Sequence, residues 1–156
     1  MGTNRISEDN MLYLPVENKM LETAIALTLF FAKKNILVHA YHASGGLSER
    51  TVYGLEQFDA FYEAFSAVEF RDDVSEEMLL TQASARPEIF RCKTVFLVLH
   101  EWTPQALEMA RLLHENNVFA VAYLVRDDIP ENLPGSQLPG VEIVCIRTDD
   151  DLTEVM

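Results

Sequence analysis

The sequence has little cysteine, and this shortage limits the ways in which the fold can be held together. Only two cysteines, Cys92 and Cys145, occur in 156 residues, and neither belongs to a C-x-x-C pair. Isolated cysteines behave as small hydrophobic side chains, and unpaired thiols are typical of reducing compartments. We therefore predict buried free thiols and a cytoplasmic location, with a disulfide or a reactive role as the alternative.

Basic residues and long hydrophobic runs are also scarce. There are 12 Lys and Arg against 25 Asp and Glu, so the formal net charge is −13. A surface of this sign repels phosphate backbones and anionic lipids, so we predict no binding to nucleic acid and no membrane contact. The longest apolar run, Thr23 to Ala32, is about half the roughly 20 residues that a membrane-spanning helix needs. It reads as a buried helix.

Hydrophobic residues make up 49% of the sequence, which is enough for a core at this length. Residues 1–16 are mostly polar around a short apolar island, Met11 to Leu14, and we predict an irregular lead-in there. Residues 17–156 are predicted to form a single α/β domain.

Hydrophobic periodicity predicts alternating helices and strands. Three short apolar runs, at 94–99, 118–125 and 141–146, are predicted to be parallel strands, with a helix between the first two that Thr103 caps. The elements predicted before them are a helix over 17–34, a strand over 36–42, an antiparallel edge strand over 49–53, a helix with the apolar face Leu55, Phe58, Tyr62, Phe65 and Val68, and a helix over 76–84 capped by Ser75. The predicted fold is therefore an open α/β fold with a mostly parallel sheet and one antiparallel edge strand.

Polar residues follow several of the predicted strands, and the carboxyl ends of parallel strands meet at one edge of a sheet. The candidate binding residues at this rim are His42, Ser75, His100, Glu101 and Asp127. Carboxylates and imidazoles there suit a divalent cation, whereas the alternative is that an acidic protein has acidic loops. No G-x-G-x-x-G, Walker or G-x-S-x-G sequence occurs, so we assign no catalytic residue.

Several segments together resemble a known family. ENKMLETAIALTLFFAKKN, ILVHAYH, LEQFDAFYEAFSAVEF, VSEEMLLTQAS and TVFLVLHEWTPQALEMARLLHENNVFAVAYLV look like the C-terminal region of bacterial DUF58 proteins, which is similar to a von Willebrand factor A domain. The resemblance covers most of residues 17–146. It implies a three-layer, Rossmann-like (von Willebrand A-like) α/β fold. It also implies a role in protein interaction or assembly, without catalysis, and a MoxR-type AAA+ ATPase as partner.

The resemblance also implies a degenerate site for Mg²⁺. The wider family binds this ion through an Asp-x-Ser-x-Ser segment, which this sequence lacks; Ser75 stands roughly where a family Thr would be, and His100–Glu101 where a family Asp would be. We therefore expect no cofactor.

The sequence also departs from the family pattern at the first strand, which in the family precedes the first helix. Only Met11 to Leu14 stands in that place, so the first strand is expected to be short or missing. Such a gap would expose unpaired backbone and favour a homo-oligomer.

Two functions are consistent with these patterns. The first is a non-catalytic interaction module of von Willebrand A-like type. The rival is a small enzyme or ligand-binding domain that uses the rim.

Overall fold

A computed structural model describes residues 13–43, 47–68, 75–128, 133 and 138–152. Helices and strands follow one another in the predicted order. They are α1 (Tyr13–Ala32), β1 (Val38–Ala43), β2 (Leu47–Val52), α2 (Gly54–Ser66), α3 (Glu76–Ser84), a 3-10 helix (Pro87–Arg91), β3 (Thr94–Leu99), α4 (Pro104–Glu115), β4 (Phe119–Val125) and β5 (Val141–Ile146).

The first helix differs from the prediction at its start. As described, α1 starts at Tyr13, inside the predicted lead-in, and Pro15 lies in its first turn, a position that tolerates proline. Tyr13 and Leu14 are therefore helical and provide no strand before α1. Met11, the other end of that apolar island, lies outside the described residues.

Two helices begin at the side chains predicted to cap them. The Ser75 hydroxyl accepts a hydrogen bond from the Met78 N–H at 3.0 Å, and the Thr103 hydroxyl accepts one from the Ala106 N–H at 3.2 Å. Pro104 occupies the first turn of α4. Each cap satisfies a backbone donor that the helix itself leaves unpaired.

The last three strands form the predicted parallel sheet, in the order β3-β4-β5. Val98, Val121 and Tyr123 pack toward α1 on one face. Leu97, Ala120 and their alternating neighbours pack on the other face with residues of α3 and α4. Helices thus cover both faces, which explains why these strands are nearly continuous apolar runs.

The hairpin of β1 and β2 is antiparallel, as predicted, but it forms a separate two-stranded sheet. The prediction of one continuous sheet with an antiparallel edge strand is therefore wrong in this respect. Residues of α1 pack against both sheets: Leu29 contributes to the cluster around Val52, and Phe31 lies 5.4 Å from the Phe96 ring. Among the described residues, no backbone hydrogen bond joins the hairpin to β3. The two are held together by helix packing.

One edge of β3 pairs with β4, and backbone direction identifies the residues on its other edge. The Phe119 N–H donates to the Lys93 carbonyl at 3.0 Å, so the backbone groups of Lys93 and Val95 point toward β4. Backbone groups alternate along a strand, so those of Thr94, Phe96 and Val98 point away from β4. No strand of the described chain pairs with this second edge.

The two cysteines are free, as predicted, but each is only partly buried. The prediction of buried thiols is thus wrong in degree. Burial is still sufficient to raise the pKa of both Cys92 and Cys145. Among the described residues, no helix has the length and apolar character required to cross a bilayer.

Proline substitutions in β3 test which edge is unpaired. Val95→Pro removes an N–H that donates to β4, whereas Thr94→Pro removes one that points to the open edge. We expect V95P to lower the free energy of unfolding by at least about 1 kcal/mol more than T94P, the net value of one hydrogen bond.

Urea unfolding measures this difference, and T94A and V95A control for the loss of each side chain. Equal losses for the two proline variants would mean that the second edge of β3 is also paired.

Candidate functional site

The rim at the carboxyl end of β3 is built around a buried pair, His100 and Glu76. One Glu76 oxygen, Oε1, accepts the His100 backbone N–H at 2.8 Å and lies 2.5 Å from Nδ1 of the same imidazole. Both side chains are buried. The pair attaches the first turn of α3 to the end of β3.

Two opposing effects act on the pKa of His100. Burial alone would lower it, because desolvation disfavours the imidazolium. The hydrogen bond to Glu76, the charge of Glu76 and the nearby charge of Glu101 together outweigh this effect and raise the pKa. The second Glu76 oxygen, Oε2, is buried with no hydrogen-bond partner in the described part of the chain.

Asp127, at the end of β4, holds the chain that follows β5. Its Oδ1 accepts the Thr148 backbone N–H at 3.0 Å and the Thr148 hydroxyl at 2.9 Å. The neighbouring Arg126 pairs with the exposed Asp128 at 2.8 Å. The Asp127 carboxylate, which was predicted to bind a ligand, is therefore already hydrogen-bonded to Thr148 of the same chain.

The other predicted site residues divide between this rim and the hairpin. Ser75 is the cap of α3, beside Glu76, and Glu101 is exposed next to His100. His42 is on β1, where its ring packs edge-on against Phe65 at 5.2 Å and where burial lowers its pKa. No hydrogen bond or ion pair of the described residues joins His42 to the other four.

The rim offers a poor donor set for Mg²⁺. Hard cations take six or more oxygen ligands. The Ser75 hydroxyl accepts a helix N–H, the Asp127 carboxylate binds Thr148, and one Glu76 oxygen is bound to His100. Within the described ranges, no group of three or more His, Cys, Asp or Glu side chains is placed to hold a metal ion. The residues present therefore do not fit the Mg²⁺ ion that members of the wider family bind.

A second candidate site is a cavity of about 480 Å³ between β1 and β3. Every residue of Ile36–Tyr41 and of Lys93–Leu99 lines it. A cavity over one face of a strand would meet only every second residue, because side chains alternate. This cavity therefore meets both strands along their edges, and we call it the slot.

Helices close the slot on its two remaining sides. Ala24, Leu27 and Phe31 of α1, with Phe61 and Phe65 of α2, form one wall. The other wall lies on the side of the helices that cover the opposite sheet face. Its lining residues are Leu79, Leu80 and Ala83 of α3, with Ile89 and Met109. Apart from Thr28 of α1, whose hydroxyl donates to the Ala24 carbonyl, the side chains of both walls are apolar.

Burial also marks the interior of the slot. It is the first cause of the raised pKa of Tyr41, which reaches about 12 with help from Glu49, and of the raised pKa of Cys92. Both side chains line the slot and are neutral at physiological pH. The mouth is different in character, because Ile36 and Leu37 are 46% and 52% exposed.

No protein-family model matches the sequence, and no curated protein matches it.

Substitution of Glu76 tests the buried pair. E76Q keeps the shape but removes the charge, and we expect it to lower the free energy of unfolding by about 1.5–3 kcal/mol at pH 6, the value of a hydrogen bond to a charged group. The neighbouring E77Q, which alters an exposed carboxylate in the same first turn, should have little effect.

The pH dependence follows from the raised pKa of His100. Its contribution to stability is complete below the unfolded pKa of about 6.5 and is lost as pH rises through the higher folded pKa. Urea unfolding between pH 6 and pH 9 should therefore show a smaller difference between E76Q and wild type at high pH. A difference that does not change with pH would contradict a charged pair.

Proposed function

We propose that this protein is a non-catalytic interaction module that associates with another protein through its incomplete sheet. The observation that carries this proposal is the slot, where two strand edges face each other and no strand of the described residues lies between them. Unpaired edges of this kind are natural sites for pairing with another chain, and large exposed apolar side chains beside them favour association.

A von Willebrand A-like fold is part of the same proposal. It is supported by three parallel strands with helices on both faces, and by an antiparallel hairpin beside them. A family first strand would precede α1, and Tyr13 and Leu14 there are helical. An incomplete sheet agrees with a first strand that is missing from this part of the chain.

The chemistry of the rim favours an interaction module over an enzyme. Ser75, His100 and Asp127 each use their polar atoms in contacts that hold helices and loops in place. His42 stands apart from them, against Phe65. A reacting group needs a positioned acid, base or nucleophile that is free to meet substrate, and these side chains are engaged elsewhere.

Thermal unfolding with added ligands separates the module from the rival ligand-binding function. We expect Mg²⁺, Mn²⁺ and nucleotides to leave the midpoint unchanged. A ligand present at one hundred times its dissociation constant would instead add about 2.7 kcal/mol. If such stabilisation appears and is lost in H100A or D127A, the rim is a ligand site and the rival function is correct.

The partner that we propose is a MoxR-type AAA+ ATPase. Sedimentation velocity of this protein mixed with such an ATPase should show a complex. L37K, which places a charge at the exposed mouth of the slot, should weaken that complex, while L55K should not. Leu37 and Leu55 are matched, since they are 52% and 53% exposed, and Leu55 does not line the slot.

A complex that both variants form equally well would move the contact away from the slot. Failure of the wild-type protein to form a complex would contradict this choice of partner.

A further inference from the structure

We infer that the slot binds one extended polypeptide strand, apolar on both faces, which inserts between β1 and β3 and joins the two sheets. This inference rests on the proposed interaction function and specifies the partner's chemistry.

The backbone of β3 requires a hydrogen-bonding occupant. The N–H and C=O groups of Thr94, Phe96 and Val98 point toward the slot, and the structure gives them no partner in the described part of the chain. Their series continues at His100, whose N–H is accepted by Glu76. The Glu76 carboxylate thus accepts the N–H at the end of this edge. The N–H groups inside the slot have no acceptor in the described part of the chain.

The occupant must also match two edges and two walls. A hydrocarbon chain has no hydrogen-bonding groups, whereas a β-strand presents N–H and C=O groups along both of its edges. Its side chains alternate between the two helix walls, and both walls are apolar apart from Thr28. Val, Ile and Leu on both faces are therefore required, as in a central strand of a parallel sheet. A length of about six residues, or roughly 20 Å, matches β1 and β3.

The printed sequence has no such strand to spare. Outside the described residues, its segments 1–12, 44–46, 69–74, 129–132, 134–137 and 153–156 contain at most two consecutive apolar residues. Residues 1–156 of a second copy lack such a strand for the same reason. The occupant therefore comes from outside these residues, and under the proposed function it is a strand of the partner protein.

A synthetic peptide tests this assignment directly. The probe is a fluorescein-labelled peptide with a central run of about six Val, Ile and Leu residues, flanked by lysines for solubility. The control peptide has proline at alternate positions of the run, which removes the N–H groups of one edge but keeps the lysines. Fluorescence anisotropy should show binding of the probe and at least roughly tenfold weaker binding of the proline peptide, because one edge can no longer donate.

Matched protein variants locate the binding site. I36K/L37K places two charges at the mouth of the slot and should weaken binding by roughly tenfold or more, because the bound apolar strand would remove water from lysines without offering them a partner. L55K/Y62K adds the same charges at residues of similar exposure on α2, outside the slot lining, and should bind the probe as wild type does.

Amide hydrogen exchange measured by NMR identifies the edge that binds. With the probe, exchange at Phe96 and Val98 should slow by roughly tenfold or more, while Val95 and Leu97, already paired with β4, should change little. Absence of probe binding, equal binding of both peptides, or protection that omits Phe96 and Val98 would each overturn the inference.

Self-association is a separate outcome. Sedimentation velocity of the protein alone, together with slot protection that increases with protein concentration, would assign the slot to a second copy and overturn the choice of a partner. If the peptide fails while the complex with the ATPase forms, the strand inference fails and the proposed function stands. If both fail, neither stands.

Discussion

A strand edge must satisfy its backbone hydrogen-bonding groups, and the structure depends on how this is achieved along β3. One edge of β3 pairs with β4, while the other faces the slot. Glu76 satisfies the N–H of His100 at the end of this open edge. The same carboxylate binds the His100 ring, so that a single buried group fixes α3, the end of β3 and one end of the slot.

Helix packing keeps the hairpin in place without a continuous sheet. α1 covers one face of the parallel sheet through Met20 and also packs against the hairpin, where Ala32 and Val52 belong to the same buried cluster. On the opposite side, Leu79 of α3 contacts Leu47 of β2. Apolar contacts are non-directional and tolerate a space between two strands, whereas a sheet ladder does not. The slot is therefore compatible with a well-packed surrounding core.

The rim illustrates how residues of a predicted site acquire structural roles. His100, Glu101 and Asp127 were placed at one edge because β3 and β4 are parallel, and the structure confirms that placement. Their partners, Glu76 and Thr148, were not identified, because each contact joins segments distant in the sequence. Only the acidic first turn of α3 hinted at Glu76, since carboxylates favour a helix N-terminus.

The sequence by itself determined the order of helices and strands, the caps at Ser75 and Thr103, and the parallel character of the last three strands, because periodicity and capping are local properties. Tertiary structure decided which apolar residues are core: Phe58 and Phe65 are buried, while Leu55 and Tyr62 of the same predicted face are exposed. It also decided that β1 and β3 do not meet. Strand pairing depends on contacts between distant segments. The residues of a run such as 94–99 therefore do not determine which strands pair with its two edges.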